Sequence, residues 1–202
     1  LATASELEAH ARLVVYGHGG EAVRTTFANE AGVRWVEQAE QLGTGHAVAQ
    51  TLPLLDDAGV VLVLYGDVPL IRAETLQPLV TAARQGSLAL LTVELADPGG
   101  YGRIVRDERD RVCRIVEEKD ATAEERRLHE INTGILAVAT EKLRGWVAEL
   151  DNKNAQGEYY LTDVVALAVR DGVAVEAFTV AEPEQVLGVN DRRQLAELER
   201  FY

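Results

Sequence analysis

The chain of 202 residues has no methionine, one cysteine, three lysines and only 5% aromatic side chains. Each scarcity excludes something. Cys113 alone cannot make an internal disulfide framework, so a reducing cytoplasm is the expected compartment. Within the strand-like "RVCRIVEE" this residue is expected simply to fill core. No aliphatic run is long enough to span a bilayer, and no signal-peptide pattern opens the chain. The formal net charge of −13 argues against a nucleic-acid or anionic-membrane surface, and an anionic small substrate would need local neutralisation. Because translation starts with methionine and this chain starts with Leu1, it reads as a fragment trimmed at its start.

What is present is the composition of an ordinary soluble domain, 47% hydrophobic and 26% charged, large enough for one buried core. Hydrophobic periodicity alternates between strand and helix. Strands are expected at 11–17, 32–37, "VVLVLY", 87–95, 132–140 and 174–180. Helices are expected near 20–28, 44–54, 72–84, 121–129, 141–150 and 161–171, with a last one in "NDRRQLAELERFY". "GRIVRD" and "RVCRIVEE" form a short antiparallel pair around a charged turn. The fold class is therefore α/β: a Rossmann-like, mostly parallel sheet with helices on both faces and a small antiparallel element. No repeat or linker divides it, so 1–202 is one domain.

In such sheets ligands bind at the carboxyl ends of the strands. Asp67 ends the hydrophobic "VVLVLYGD", where a rigid element holds it. Gly17, Gly19 and Ala22 in "VVYGHGGEA" fit the dinucleotide pattern, with Glu37 about 20 residues on, which keeps a nicotinamide-cofactor oxidoreductase as an alternative. A plain strand-to-helix turn is the simpler account. In "QAEQLGTGHA" two glutamines precede a Gly-Thr-Gly turn that opens a helix. A glutamine amide offers a donor and an acceptor for the edge of a nucleobase, and glycines admit a flat ring. His46 reads as structural. Thr162, Asp163, Asn190 and Asp191 are capping candidates.

Taken in order, "YGHGG", "QAEQLGTGHA", "LYGDVPLI", "DPGGYGRI", "IVEEKDAT", "EINTGI", "NAQGEYYLTD" and "GVNDRRQLAELERFY" make the chain resemble one domain of a known family. That domain is the uridyltransferase part of the bifunctional N-acetylglucosamine-1-phosphate uridyltransferase/glucosamine-1-phosphate acetyltransferase (GlmU). The resemblance runs from Val14 to the end. It implies Mg²⁺-dependent transfer of uridylyl from UTP to N-acetylglucosamine-1-phosphate. The products would be pyrophosphate and UDP-N-acetylglucosamine, a precursor for peptidoglycan and lipopolysaccharide. By this resemblance Gln38 reads uracil with Gln41 nearby, and Gly43 and Thr44 lie against the base. Tyr65, Gly66 and Asp67 line the nucleotide-sugar site. Asp67 and Asn190 hold Mg²⁺. Gly102, Glu117 and Asn132 contact the sugar, with Tyr160 and Thr162 completing the pocket for its N-acetyl group and phosphate.

The family's first strand and glycine-rich loop, roughly L-A-A-G-x-G-T-R-M, do not occur here, nor does its acetyltransferase half. The resemblance therefore implies that residues 191–202 begin a helix leading to that absent domain, and that the isolated chain is impaired in turnover. It also implies that the full-length protein is a cytoplasmic homotrimer. A nucleotide-sugar binder without turnover is the remaining alternative.

Overall fold

A computed structural model describes residues 1–189 and 191–201. In chain order the elements are α1 (Ala2–Glu6), β1 (Arg12–Tyr16), α2 (Glu21–Thr26), β2 (Val33–Glu37), α3 (Thr44–Thr51), β3 (Val60–Val63), α4 (Ala73–Arg84) and β4 (Leu88–Glu94). There follow β5 (Arg103–Arg106), β6 (Val112–Val116), β7 (Glu130–Ala139), α5 (Thr140–Glu149), α6 (Val164–Arg170), β8 (Val175–Thr179) and α7 (Arg192–Leu198).

Side chains on a strand alternate between faces, and β4 shows what that requires here. Leu88 and Leu90 join one cluster with Trp146, Leu143, Val164 and Val165 from α5 and α6. Ala89, Leu91 and Val93 join a second with Leu76, Leu79 and Ala83 from α4. Every β4 residue except Glu94 is buried, because helices cover both faces. Trp146, itself 2% exposed, donates its indole N–H to Asp171 Oδ2 at 2.8 Å.

The α/β architecture, with helices on both faces and an antiparallel β5–β6 pair, is the one expected. Parallel pairing is less extensive than expected. It is confined to β1 with β2 and β4 with β8, whereas β7 runs antiparallel to β3, β4 and β5. β1 and β2 form their own two-stranded sheet beside a six-stranded one. The "VVLVLY" strand is also not the buried centre that its composition suggests. β3 pairs only with β7, and its four residues are half-buried. Cys113 is half-buried on β6, with its thiol 3.6 Å from the Arg111 carbonyl oxygen, so it does not fill core. The polar helix expected at 121–129 shrinks to one 3₁₀ turn, Glu125–Arg127. Thr122 and Glu125 do cap each other reciprocally, but Leu128 is already extended on the way into β7.

β7 positions the site. It is ten residues long, and one of its edges serves two neighbours, β5 at Ile131 and β3 from Leu136 onward. Between them Asn132–Ile135 form a fork, where the end of β3 meets the start of β5.

Candidate active site

Three segments converge at this fork. The first follows β2. The Gln38 main-chain N–H extends the strand pairing to the Tyr16 carbonyl at 2.8 Å, which fixes the side chain's root. Its amide nitrogen donates to the Gly43 carbonyl at 3.0 Å and lies 3.1 Å from His46 Nδ1. Gln41 points elsewhere, toward Gly17, where a β-carbon would stand 2.5 Å from its amide nitrogen.

The Gly-Thr-Gly turn turns out to be a seam. Gly43 has φ 108°, and a β-carbon there would meet the Tyr159 carbonyl oxygen at 2.6 Å. One on Gly45 would meet Leu150 at 2.5 Å. Tyr159 N–H donates to the Leu42 carbonyl and Gly45 N–H to the Tyr159 carbonyl, each at 2.8 Å. Leu161 N–H donates to Thr44 Oγ1 at 3.1 Å. These glycines therefore make room for the protein's own 158–161 segment, where the sequence suggested room for a ring.

The second segment is Tyr65–Gly66–Asp67, after β3. Tyr65 packs its ring on Gly134, whose φ is +84° and whose β-carbon would lie 2.4 Å from Tyr65 Cε2. Burial pushes the Tyr65 hydroxyl up to about 12, helped by the charges of Glu117 and Asp67 and opposed by its hydrogen bond with Thr44. Asp67 is exposed, and its carboxylate meets no Lys or Arg among the described residues. Its main-chain carbonyl accepts from Val189 N–H at 2.8 Å, and a β-carbon on Gly188 would lie 3.3 Å from its Oδ2. The 188–189 backbone thus rests against Asp67. Asn190 lies outside the described residues.

The third segment gathers around β5 and β6. Asn132 N–H donates to the Gly102 carbonyl at 2.8 Å. Gly102 leaves space for Glu117, whose Oε2 would be 3.3 Å from a β-carbon there. Thr162 Oγ1 donates to Glu117 Oε1 at 2.8 Å, and Tyr160 donates its hydroxyl proton to Asp120 Oδ2 at 3.2 Å. Thr162 is thus committed to Glu117, and α6 has no side-chain cap from Asp163. Asp191 does cap α7, accepting from Gln194 N–H at 2.8 Å. Burial raises the Glu117 carboxyl above its usual range despite the Thr162 bond, with Asp120 adding to the rise. Asp163 is raised by burial and by the neighbouring acids Glu117, Asp151 and Asp120. Arg103, 1% exposed, stiffens this wall through Glu118 at 2.6 Å, the Leu128 carbonyl at 3.0 Å and the Tyr101 carbonyl.

Two of these features carry a signal in the sequence. Gly134 sits inside a strand pattern, which marks a close approach by a neighbour. His46 adjoins the glutamines and the turn. Among the described residues no group of three or more His, Cys, Asp and Glu side chains is set to hold a metal ion. That leaves smaller donor sets, such as one carboxylate with waters and phosphate oxygens, which Mg²⁺ accepts. The dinucleotide pattern gains no support: α2, the helix it would open, has six residues and buries none of them.

The chain matches the MobA-like NTP transferase domain over residues 1–154. It is 62% identical over 202 residues to "Bifunctional protein GlmU" of Thiobacillus denitrificans, covering all of this chain and 44% of that protein. It is 56% identical over 199 residues to the protein of the same name from Methylococcus capsulatus, covering 98% of this chain and 43% of that one. The chain thus spans less than half the length of these curated relatives. Among solved structures it is similar to a UDP-glucose pyrophosphorylase complexed with UDP-glucose. That superposition has a TM-score of 0.72 at 13% identity, covering 98% of this chain and 84% of that one. It is also similar to HddC from Yersinia pseudotuberculosis, with a TM-score of 0.66 at 14% identity, covering 98% and 81%. At such identities these two speak to fold alone, and they share the mixed α/β sheet. With the family match extending across the β3 strand end, the fork and the α3 turn, the chain belongs to the MobA-like NTP transferase domain family.

Proposed function

We propose that residues 1–202 form a single uridyltransferase domain that moves uridylyl from UTP to N-acetylglucosamine-1-phosphate with Mg²⁺, as part of a cytoplasmic, trimeric protein. The observation that carries this reading is the seam between Leu42–Gly45 and Tyr159–Leu161. It ties the glutamine-bearing turn to the wall formed by Glu117, Thr162, Gly102 and Asn132, so that one cleft can hold a base and a sugar at a fixed separation.

Gln38 reads the uracil edge, with Gly43 and Thr44 beside it, while Gln41 turns toward Gly17. Tyr65 and Gly66 line the nucleotide-sugar channel. Gly102, Glu117, Asn132, Tyr160 and Thr162 receive the sugar. Glu117, held by Thr162, offers its other oxygen to a sugar hydroxyl. Asp67 and Asn190 would hold the metal; Asp67 suits it, being an exposed carboxylate in the segment after β3 that meets no Lys or Arg among the described residues. When bound, Mg²⁺ would draw negative charge away from the phosphates. An oxygen of the sugar phosphate attacks the α-phosphorus in line, its bond forms as the bond to the bridging oxygen breaks, and pyrophosphate leaves with the electron pair. The attacking phosphate is already anionic, so alignment suffices and no general base is needed.

Pyrophosphate release from UTP and N-acetylglucosamine-1-phosphate, with and without EDTA, tests the reaction, and calorimetry with UDP-N-acetylglucosamine tests the cleft. Failure to bind the nucleotide-sugar would refute the proposal. Binding without turnover would favour a non-catalytic binder. One observation leans that way: no hydrogen-bond partner of Gln38, Tyr65, Asp67, Glu117, Tyr160 or Thr162 among the described residues is a lysine or arginine to neutralise a triphosphate.

A further inference from the structure

Residues 159–162 bond to two sides of the cleft by turns. Tyr159 and Leu161 serve the base side through their main chain, with Tyr159 N–H on the Leu42 carbonyl at 2.8 Å and Leu161 N–H on Thr44 Oγ1 at 3.1 Å. Tyr160 and Thr162 serve the segment after β6 through their side chains. Tyr160 donates its hydroxyl proton to Asp120 Oδ2 at 3.2 Å, and Thr162 donates its own to Glu117 Oε1 at 2.8 Å. The two acids share one turn, closed by Asp120 N–H on the Glu117 carbonyl at 3.0 Å. Asp120 also grips the loop that leads into 159–162, its Oδ1 accepting from Ala155 N–H at 2.9 Å. That loop is folded on itself by Asn154, whose Oδ1 accepts from Gln156 N–H and Glu158 N–H at 3.2 Å each. A surface link, Lys119 Nζ to Gln156 Oε1 at 2.5 Å, joins the same turn and loop. Glu117 keeps an oxygen for the sugar, whereas each oxygen of Asp120 already accepts a bond from the protein.

We infer that Asp120 is a positioning residue for the sugar: it clamps Tyr160 and the 154–160 loop beside Glu117, and so sets one wall of the cleft. The base side has its own ties, the main-chain bonds to Leu42 and Gly45, and does not depend on it. The inference rests on the reading of this wall as the sugar site. It deepens that reading by naming a residue that acts on the sugar through Tyr160.

The test is calorimetric titration of the chain with UDP-N-acetylglucosamine and with UDP. It uses wild type, Asp120→Ala, Asp120→Asn, Tyr160→Phe and the double variant Asp120→Ala/Tyr160→Phe. Asp120 is exposed, so its replacement should leave the fold in place. Asparagine can keep both contacts, with Oδ1 accepting from Ala155 N–H and Nδ2 donating to the Tyr160 oxygen. Asp120→Ala is expected to weaken UDP-N-acetylglucosamine about tenfold, the order of one hydrogen bond to a charged group, and to change UDP by less than about threefold. Asp120→Asn should stay within about threefold of wild type for both ligands. Tyr160→Phe should weaken the nucleotide-sugar alone yet add little to Asp120→Ala, because both remove the same bond. Wild-type affinity for UDP-N-acetylglucosamine in Asp120→Ala, an equal loss for UDP, an asparagine as poor as alanine, or additive losses in the double variant overturns the role of Asp120. Wild type that binds UDP but no UDP-N-acetylglucosamine overturns the sugar-site reading itself.

Discussion

Replacing Gly134 by alanine should damage the protein by two separable routes. The first is local: φ is +84°, a conformation costing a residue with a β-carbon about 1–3 kcal/mol. The second is steric: the new carbon would stand 2.4 Å from Tyr65 Cε2 and 2.7 Å from Cζ, whereas carbon atoms settle at roughly 3.5–4.0 Å. The ring must retreat by more than an ångström, yet it is packed among the residues covering β4 and β7. Overpacking of this kind costs about 1–3 kcal/mol. Together the routes predict a loss of about 2–6 kcal/mol, a large share of the roughly 5–15 kcal/mol that holds a typical domain. Urea denaturation of Gly134→Ala, Tyr65→Ala and the double variant separates them, because Tyr65→Ala removes the steric route alone. Alanine at 134 should therefore cost about 1–3 kcal/mol less in the Tyr65→Ala background than in wild type. If the cost is the same in both backgrounds, or under about 0.5 kcal/mol in wild type, the close packing of Tyr65 on β7 is wrong.

Glu117→Gln should make the protein more stable at neutral pH. Its carboxyl is raised in the folded state, so the fold binds an extra proton above 4.5 and loses stability as pH rises through that window. The gain in melting temperature should vanish below pH 4.5, and a pH-independent difference between variant and wild type would contradict it. Asp67→Ala should leave the melting temperature almost unchanged, because its side chain is exposed and any residue supplies the carbonyl that Val189 uses. Mg²⁺-dependent turnover should fall by about 10²-fold or more, as for loss of a group acting on developing charge, and retention of wild-type Mg²⁺ dependence would count against its metal role. Arg103→Met should cost about 2–4 kcal/mol in urea, short of the full value for a broken buried pair because Glu118 is 32% exposed and can reach water. A cost below about 1 kcal/mol would mean the guanidinium does not brace the wall around β5 and β6.

What the sequence made legible depended on whether a residue's task can be seen in its own chemistry. Asp67, Gln38 and Glu117 advertise oxygens and amides, and the structure sets each of them just after a strand: Gln38 after β2, Asp67 after β3 and Glu117 after β6. Gly43, Gly45 and Gly134 act by what they leave out, and the atoms needing that space belong to Tyr159, Leu150 and Tyr65, far away in the chain. "VVLVLY" and "SLALLTVEL" look alike as strings, yet β4 is sandwiched by strands on both edges while β3 has one partner. Burial is decided by those neighbours, and composition carries no record of them. The fork itself follows from length. A strand that gives one edge to two shorter partners must leave residues between them unpaired, and their backbone groups still need hydrogen bonds. On that edge Asn132 N–H finds the Gly102 carbonyl at 2.8 Å. On the opposite edge, where the register with β4 shifts between Leu90 and Thr92, Ile135 N–H finds Thr133 Oγ1 at 3.2 Å, which in turn donates to the Leu91 carbonyl at 2.7 Å. A loop carbonyl thus stands in at Asn132, where β3 has ended and β5 only begins.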